Sequence, residues 1–141
     1  MFGLFSKSKS KDTAQLVSTF IAKASTAVGE PIANTDQAVL VLGNKITSAW
    51  FDSLPPKAIK GCQPSILAAY VLVGEASVHA QPGSREVAEV YIDAAKMATR
   101  GFGLRAAAGN ASDSECKLIV AMAKMASAND LEFHSELVEL R

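Results

Sequence analysis

Glu75 and His79 form the residue pair whose types and spacing could best support chemistry in this chain. They lie four positions apart in an apolar stretch that is predicted to be helical, so both side chains should point to the same side. A carboxylate beside an imidazole could form a pair of metal ligands, or it could orient the imidazole as a general base. The alternative interpretation is that the helix simply reaches solvent here, because Pro82 and Gly83 follow. An acid on an otherwise apolar helix must in either case find water or a partner.

Trp50 and Phe51 are further candidate binding residues, near the end of an earlier predicted helix. Tryptophan is a frequent anchor at binding surfaces, but it is also common in protein interiors, and we favour the core for Trp50. Adjacent residues on a helix point about 100° apart, so the two rings cannot both occupy the centre of one face. One of them is therefore expected at an edge or in solvent.

Two arginines, Arg100 and Arg105, flank glycines in a segment that could hold an anion. The segment RGFGLRAAAGN is neither a dinucleotide-binding fingerprint nor a P-loop. A helix is predicted to begin just beyond it, where free backbone N–H groups favour negative charge. Asp113 and Glu115 already lie in the first turn of that helix and would repel a phosphate. The alternative is that the glycines end a helix and the arginines are solvated.

Motifs for metal binding and for nucleophilic catalysis are missing from the sequence. The histidines are His79 and His134, and the chain lacks H-E-x-x-H, paired E-x-x-H and G-x-S-x-G motifs. Cys62 and Cys116 are far apart and belong to no C-x-x-C pair. We therefore expect no metal ion and no cofactor, and a binding protein fits the sequence better than an enzyme.

The composition is that of a globular chain. Its 141 residues fit one domain. Hydrophobic residues make up 49% of the chain and charged residues 20%, whereas disordered chains contain fewer hydrophobic residues. The 14 basic and 14 acidic residues cancel, so no nucleic-acid partner is expected. The longest apolar run, Ile66 to Gly74, has about half the length needed to cross a bilayer. The first residues contain too short an apolar stretch for a secretory signal, so we expect reduced cysteines and a cytoplasmic location.

Five segments carry apolar residues at helical spacing, with stop signals between them. The first segment covers residues 12–28, and the third covers residues 64–80. The second begins at a cap at Asn34 and continues to Leu54. The fourth continues from a cap at Ser84 to Gly101, and the fifth from a cap at Ser112 to Asn129. A weaker segment, 130–141, could be helix or strand. The segment 64–80 is apolar on nearly every side, which is typical of a central helix.

The segments between and before these helices are expected to be irregular. Lys57 to Gly61, which could form one helical turn, and Arg105 to Ala111 are predicted connectors. Residues 1–11 combine a short apolar start with alternating serine and lysine, which predicts a flexible tail. Such a tail could touch an anionic membrane surface.

Two capping boxes mark helix starts. Asn34 is expected to cap the second helix, with Gln37 as its capping-box partner. Ser112 is expected to cap the fifth helix, with Glu115 as its partner.

The predicted fold is thus all-α, a compact bundle of five or six helices around the central helix at 64–80. It comprises a single helical domain over 12–141 behind the tail, with Ile66, Tyr70 and Val73 in its core. The first functional hypothesis is a binding or regulatory protein acting through protein–protein contacts, as a homo-oligomer or with another protein. The second is an enzyme or small-molecule-binding domain that uses Glu75 and His79. The third is a peripheral membrane protein tethered through residues 1–11.

Overall fold

A computed structural model describes residues 2–32, 35–81 and 83–133, and every regular element in these ranges is an α-helix. The helices are α1 (Phe2–Ala27), α2 (Asp36–Phe51), α3 (Pro56–Gly61), α4 (Pro64–Ala80), α5 (Arg85–Ala98), α6 (Phe102–Ala107) and α7 (Asp113–Ala128). The all-α class is confirmed, and the five long helices correspond to the five predicted segments. Most of the weaker segment, residues 134–141 with His134, lies outside the described residues.

The central helix is α4, as its sequence predicts. It packs against α1, α2, α5 and α7, and residues around its whole circumference are buried. Ile66 and Val73 are in the core, at 1% and 0% exposure. Tyr70 was expected there too, but it is only partly buried, because it lies at the side of the helix that meets the ring of Trp50.

The first helix begins at Phe2, well before the predicted start at Asp12. The serine and lysine residues before Asp12 have no apolar stripe, yet extending an existing helix adds one hydrogen bond per residue without a new nucleus. Lys9 also ties this turn to the body, because its Nζ donates to the carbonyl oxygens of Lys60, at 3.3 Å, and of Cys62. The flexibility of residues 1–11 stays a prediction.

Helix α2 starts differently from the prediction. Its N-cap is Thr35, whose hydroxyl accepts the Ala38 N–H at 3.2 Å, so the Asn34 cap with Gln37 as partner is wrong. Threonine is an accepted N-cap residue, although asparagine is the more favoured one, and sequence alone does not choose between adjacent cap residues. Asn34 itself lies outside the described residues.

A short helix covers the first predicted connector, where one helical turn was an open alternative, and another overlaps the start of the second. Pro56 occupies the first position of α3, where its missing N–H removes no helical hydrogen bond. Gly101 precedes α6 with φ +88°, a left-handed conformation that reverses the chain after α5. The capping box of Ser112 and Glu115 at the start of α7 and the start of α4 at Pro64 are confirmed.

Helices α1 and α2 form a closely packed hairpin. At Gly43 of α2, an added Cβ would lie 3.1 Å from the carbonyl oxygen of Ala14 and would collide with the side chain of Ser18. Glycine therefore allows the two backbones to approach at this point. The same hairpin carries the groove described below.

Candidate functional site

Glu75 is the centre of a cluster that joins three helices. Its Oε1 accepts the indole N–H of Trp50 at 3.0 Å, and its Oε2 lies 3.5 Å from Nε2 of His79. The predicted pairing of Glu75 with His79 on one side of α4 is therefore formed. We call Trp50, Glu75, His79 and Tyr91 the Glu75 cluster.

Aromatic packing holds the cluster together. The ring of His79 stacks on that of Tyr91, with centroids 5.3 Å apart and planes 9° from parallel. The indole of Trp50 meets Tyr70 edge to face, with centroids 6.0 Å apart. Gly74 makes room for the indole, since an added Cβ would lie 2.7 Å from it. Each ring is thus held in position by a ring on another helix, and the indole also occupies the space that the missing side chain of Gly74 leaves free.

The surroundings of Tyr91 in the Glu75 cluster favour its neutral, protonated phenol. Burial raises the pKa of Tyr91 to about 12, and the negative charge of Glu75 adds to this effect. Tyr91 consequently keeps its proton at neutral pH and does not serve as a base. Glu75 and His79 remain in partial contact with solvent, with side-chain exposures of 18% and 33%.

The contacts of the Glu75 cluster are those of a structural link. One carboxylate oxygen of Glu75 faces α2 and the other faces His79, so neither is directed at an empty site. Within 2–32, 35–81 and 83–133 there is also no group of three or more His, Cys, Asp or Glu side chains able to hold a metal ion. The arrangement orients the imidazole of His79 between the carboxylate of Glu75 and the ring of Tyr91.

Trp50 and Phe51 take opposite roles to those expected. Phe51 is buried at 8% exposure and belongs to the core, whereas Trp50 is half-buried at its edge. The expectation that one of the two lies at an edge is confirmed, but the edge residue is Trp50, for which we favoured the core. The reason is polar: the indole N–H needs an acceptor, which it finds in Glu75, while Phe51 has no polar atom to satisfy.

Arg100 and Arg105 do not converge on an anion site. Arg100 is exposed. Arg105 lies over the Phe102 ring, 5.4 Å from its centroid, and donates to Asn110 O at 2.8 Å and to both oxygens of Glu115 at 3.0 Å. The guanidinium is therefore engaged by a carboxylate of the chain itself, and the interpretation of Arg105 as a solvated arginine is also wrong.

Glu115 is the residue whose importance the sequence did not reveal. It is 2% exposed and accepts N–H groups from Gln63, at 3.0 Å, and Ser112, at 3.1 Å, besides the guanidinium of Arg105. Burial alone would raise the pKa of Glu115, but the hydrogen bonds from Arg105, Gln63 and Ser112 outweigh it and hold the pKa below its ordinary value. The capping box identified the Ser112 contact. No spacing rule connects Glu115 to Gln63 or Arg105, which lie on other elements.

An open groove of about 410 Å³ runs between α1 and α2. We call it the α1–α2 groove, and its lining includes Ser18, Thr19, Ala22 and Lys23 of α1 with Asp36 and Leu40 of α2. Leu40, which lines the groove, and Val41, the next residue of α2, are 37% and 57% exposed. Sequence reasoning missed the groove because it is created by the spacing between two helices.

Comparison of the chain with protein-family models, with curated proteins and with solved structures found no match. None of the helices in the part of the chain that the structure describes is long and apolar enough to cross a membrane. Any proposal about function therefore rests on the contacts and exposures of this chain's own residues.

Proposed function

We propose that this protein is a small helical binding protein that acts through protein–protein contacts at the outer surface of the α1–α2 hairpin. The observation that carries the proposal is the exposure of two successive aliphatic side chains of α2, Leu40 in the lining of the α1–α2 groove and Val41 next to it in the sequence. Contacts between proteins commonly combine such an apolar centre with a polar rim.

The position of this pair within α2 supports the proposal. The buried residues of α2 include Val39, Gly43 and Ile46, so the helix is seated on the rest of the protein without Val41. Single exposed aliphatic residues are normal on protein surfaces. Two in succession, about 100° apart around the helix, can both contact a partner that covers this part of α2.

The Glu75 cluster favours the binding hypothesis over the enzyme hypothesis. Its hydrogen bond and ring contacts link α2, α4 and α5, which is a sufficient reason for Glu75 and His79 to be there. Their use by an enzyme or a small-molecule site, and membrane tethering through residues 1–11, stay predictions. A cytoplasmic location is part of the proposal, in keeping with the unpaired cysteines Cys62 and Cys116.

The test is affinity capture from the native host with the full chain as bait, followed by mass spectrometry. The variant Val41→Asp places a charge on the proposed surface, and Leu104→Asp is its matched control, since Leu104 is 80% exposed on α6. We expect the same partner, whether a second copy or another protein, with the wild type and with Leu104→Asp, and its loss with Val41→Asp. Partners that Val41→Asp leaves unchanged would contradict the proposal.

A further inference from the structure

We infer that the α1–α2 groove seats a second copy of this chain, with Leu40 of each protomer entering the groove of the other. In this two-fold arrangement Lys23 of each protomer pairs with Asp36 of its partner. The inference rests on the proposed function and adds the identity of the partner.

The shape of the groove favours a protein over a small molecule. Thr19, Lys23, Asp36 and Leu40 are all exposed, so the groove is open along its length. Sites for small molecules bury most of the ligand's surface, which an open groove does not do. A side chain that projects from another helix fits an open groove better than a small molecule does. The rest of that helix covers the part of the side chain that the groove leaves exposed to solvent.

The hairpin carries both a projecting side chain and a receptor for it. Leu40 of α2 lines the groove and is 37% exposed, and the α1 wall includes the small residues Ser18, Thr19 and Ala22 besides Gln15 and Lys23. The hydroxyls of Ser18 and Thr19 already donate to the carbonyl oxygens of Ala14 and Gln15, each at 2.9 Å. With their donors satisfied, these hydroxyls can contact an aliphatic side chain without losing a hydrogen bond.

The charges of the groove identify the occupant as a second copy. Lys23 and Asp36 are exposed on its two walls, and neither has an ion-pair partner in the described ranges. A two-fold axis brings residue i of one protomer to residue j of the other, and j to i. A surface with one cation and one anion is therefore complementary to itself, and the formal net charge of zero means that two copies do not repel each other overall.

The resulting assembly is a familiar one for helical hairpins. Two α1–α2 pairs packed face to face form a four-helix arrangement, in which side chains of one pair enter spaces between side chains of the other. Helices α1 and α2, with 26 and 16 residues, are long enough to provide several turns of contact.

The decisive experiment is sedimentation equilibrium of the full chain over a range of concentrations. The wild type should associate to twice the monomer mass of 14.8 kDa. Leu40→Asp should raise the dissociation constant ~10-fold or more, because it places a charge in the apolar centre of the interface. Leu104→Asp, the matched control on α6, should leave it unchanged. Circular dichroism checks that each variant is folded.

Charge exchange tests the pairing itself and does not depend on Leu40→Asp being folded. Lys23→Asp and Asp36→Lys each create two repulsive contacts in a homodimer and should weaken it. An equimolar mixture of these two variants restores two attractive contacts, so a heterodimer with affinity close to wild type should form.

Three results would overturn the inference: a wild type that stays monomeric, a dimer that persists with Leu40→Asp, or charge variants whose mixture associates no better than each alone. A monomeric wild type whose capture of another protein is lost with Val41→Asp would overturn this inference and leave the proposed function standing. A monomer whose captured proteins do not depend on Val41 would overturn both.

Discussion

Glu115 accepts two hydrogen bonds from the guanidinium of Arg105. Nη1 donates to Oε1 and Nη2 donates to Oε2, each at 3.0 Å. Such two-pronged contacts are among the stronger hydrogen bonds in proteins. The same carboxylate caps Ser112 at the start of α7 and accepts the N–H of Gln63 at the start of α4. One buried charge thus fixes the junction of α4, α6 and α7.

The first prediction concerns Glu115→Gln and pH. Because hydrogen bonds hold the pKa of Glu115 below its ordinary value, its charge stabilises the fold fully above the ordinary pKa of a glutamate, and this contribution is lost as pH falls through the lowered pKa. Urea unfolding should show that Glu115→Gln lowers the free energy of unfolding by about 2 kcal/mol at neutral pH. The loss of stability on acidification should also be smaller in this variant than in the wild type. The control is Glu89→Gln, an exposed acid on α5, and an equal acid response in Glu115→Gln and wild type would contradict the prediction.

The second prediction concerns Glu75 as a link between helices. Glu75→Leu leaves the indole N–H of Trp50 without its acceptor, and we expect a loss of about 1–3 kcal/mol in the free energy of unfolding. Glu75→Gln keeps an acceptor oxygen in the same place and should lose less. Chemical denaturation followed by the fluorescence of Trp50, the single tryptophan, measures both. Equal losses in the two variants would show that the hydrogen bond to Trp50 is not what matters.

A third prediction tests the fit between Gly74 and Trp50. The added methyl of Gly74→Ala would lie 2.7 Å from the indole, so the ring must move, and we expect a loss of about 1–3 kcal/mol. The emission of Trp50 should shift to longer wavelength as the ring moves toward solvent. In a Trp50→Leu background the same substitution should have little effect, because the clashing ring is gone. An equal loss of stability in the Trp50→Leu background would show that the methyl group of Gly74→Ala clashes with a group other than the indole.

Lys9 provides a fourth prediction. Its Nζ binds the carbonyl oxygens of Lys60 and Cys62 at the end of α3, so Lys9→Met should lower the free energy of unfolding by about 1 kcal/mol. Lys11→Met, at an exposed position two residues on, is the control and should have no measurable effect. The sequence predicts a flexible tail over residues 1–11, and removal of such a tail should leave the stability nearly unchanged. A truncated chain as stable as the full chain would support that expectation against the contacts of Lys9.

The all-α class and the five long helices were predictable because they depend on local signals. The spacing of apolar residues in α4 and the capping box of Ser112 act within one or two turns, and both were found. The pairing of Glu75 with His79 was found for the same reason, since four residues is the distance of one helical turn.

The contacts that sequence reasoning missed all join separate elements. Trp50 meets Glu75 across two helices, and Arg105 meets Glu115 across a loop, so neither partner follows from helical spacing. The first turns of α1 were also missed, because Lys9 is held by a contact with α3 and not by an apolar stripe of its own. Local rules identified the elements, and the contacts between them determined which side chains are engaged.

The last prediction concerns buried hydroxyls without partners. Thr13 and Thr47 are fully buried, and the hydroxyl of each has no hydrogen-bond partner among the described residues. A buried polar group without a partner destabilises the fold, and valine has nearly the same shape without the hydroxyl. We expect Thr47→Val and Thr13→Val each to raise the free energy of unfolding by about 1 kcal/mol.

Thr99→Val is the matched control for these substitutions. Thr99 is as deeply buried, but its hydroxyl donates to the carbonyl oxygen of Ala95 at 3.0 Å. Its replacement should therefore bring no gain, because a satisfied hydrogen bond is removed together with the hydroxyl. Thermal and urea unfolding of the three variants compare the two situations directly. A loss of stability in Thr47→Val similar to that in Thr99→Val would mean that the hydroxyl of Thr47 is bound in solution, most simply by an internal water molecule.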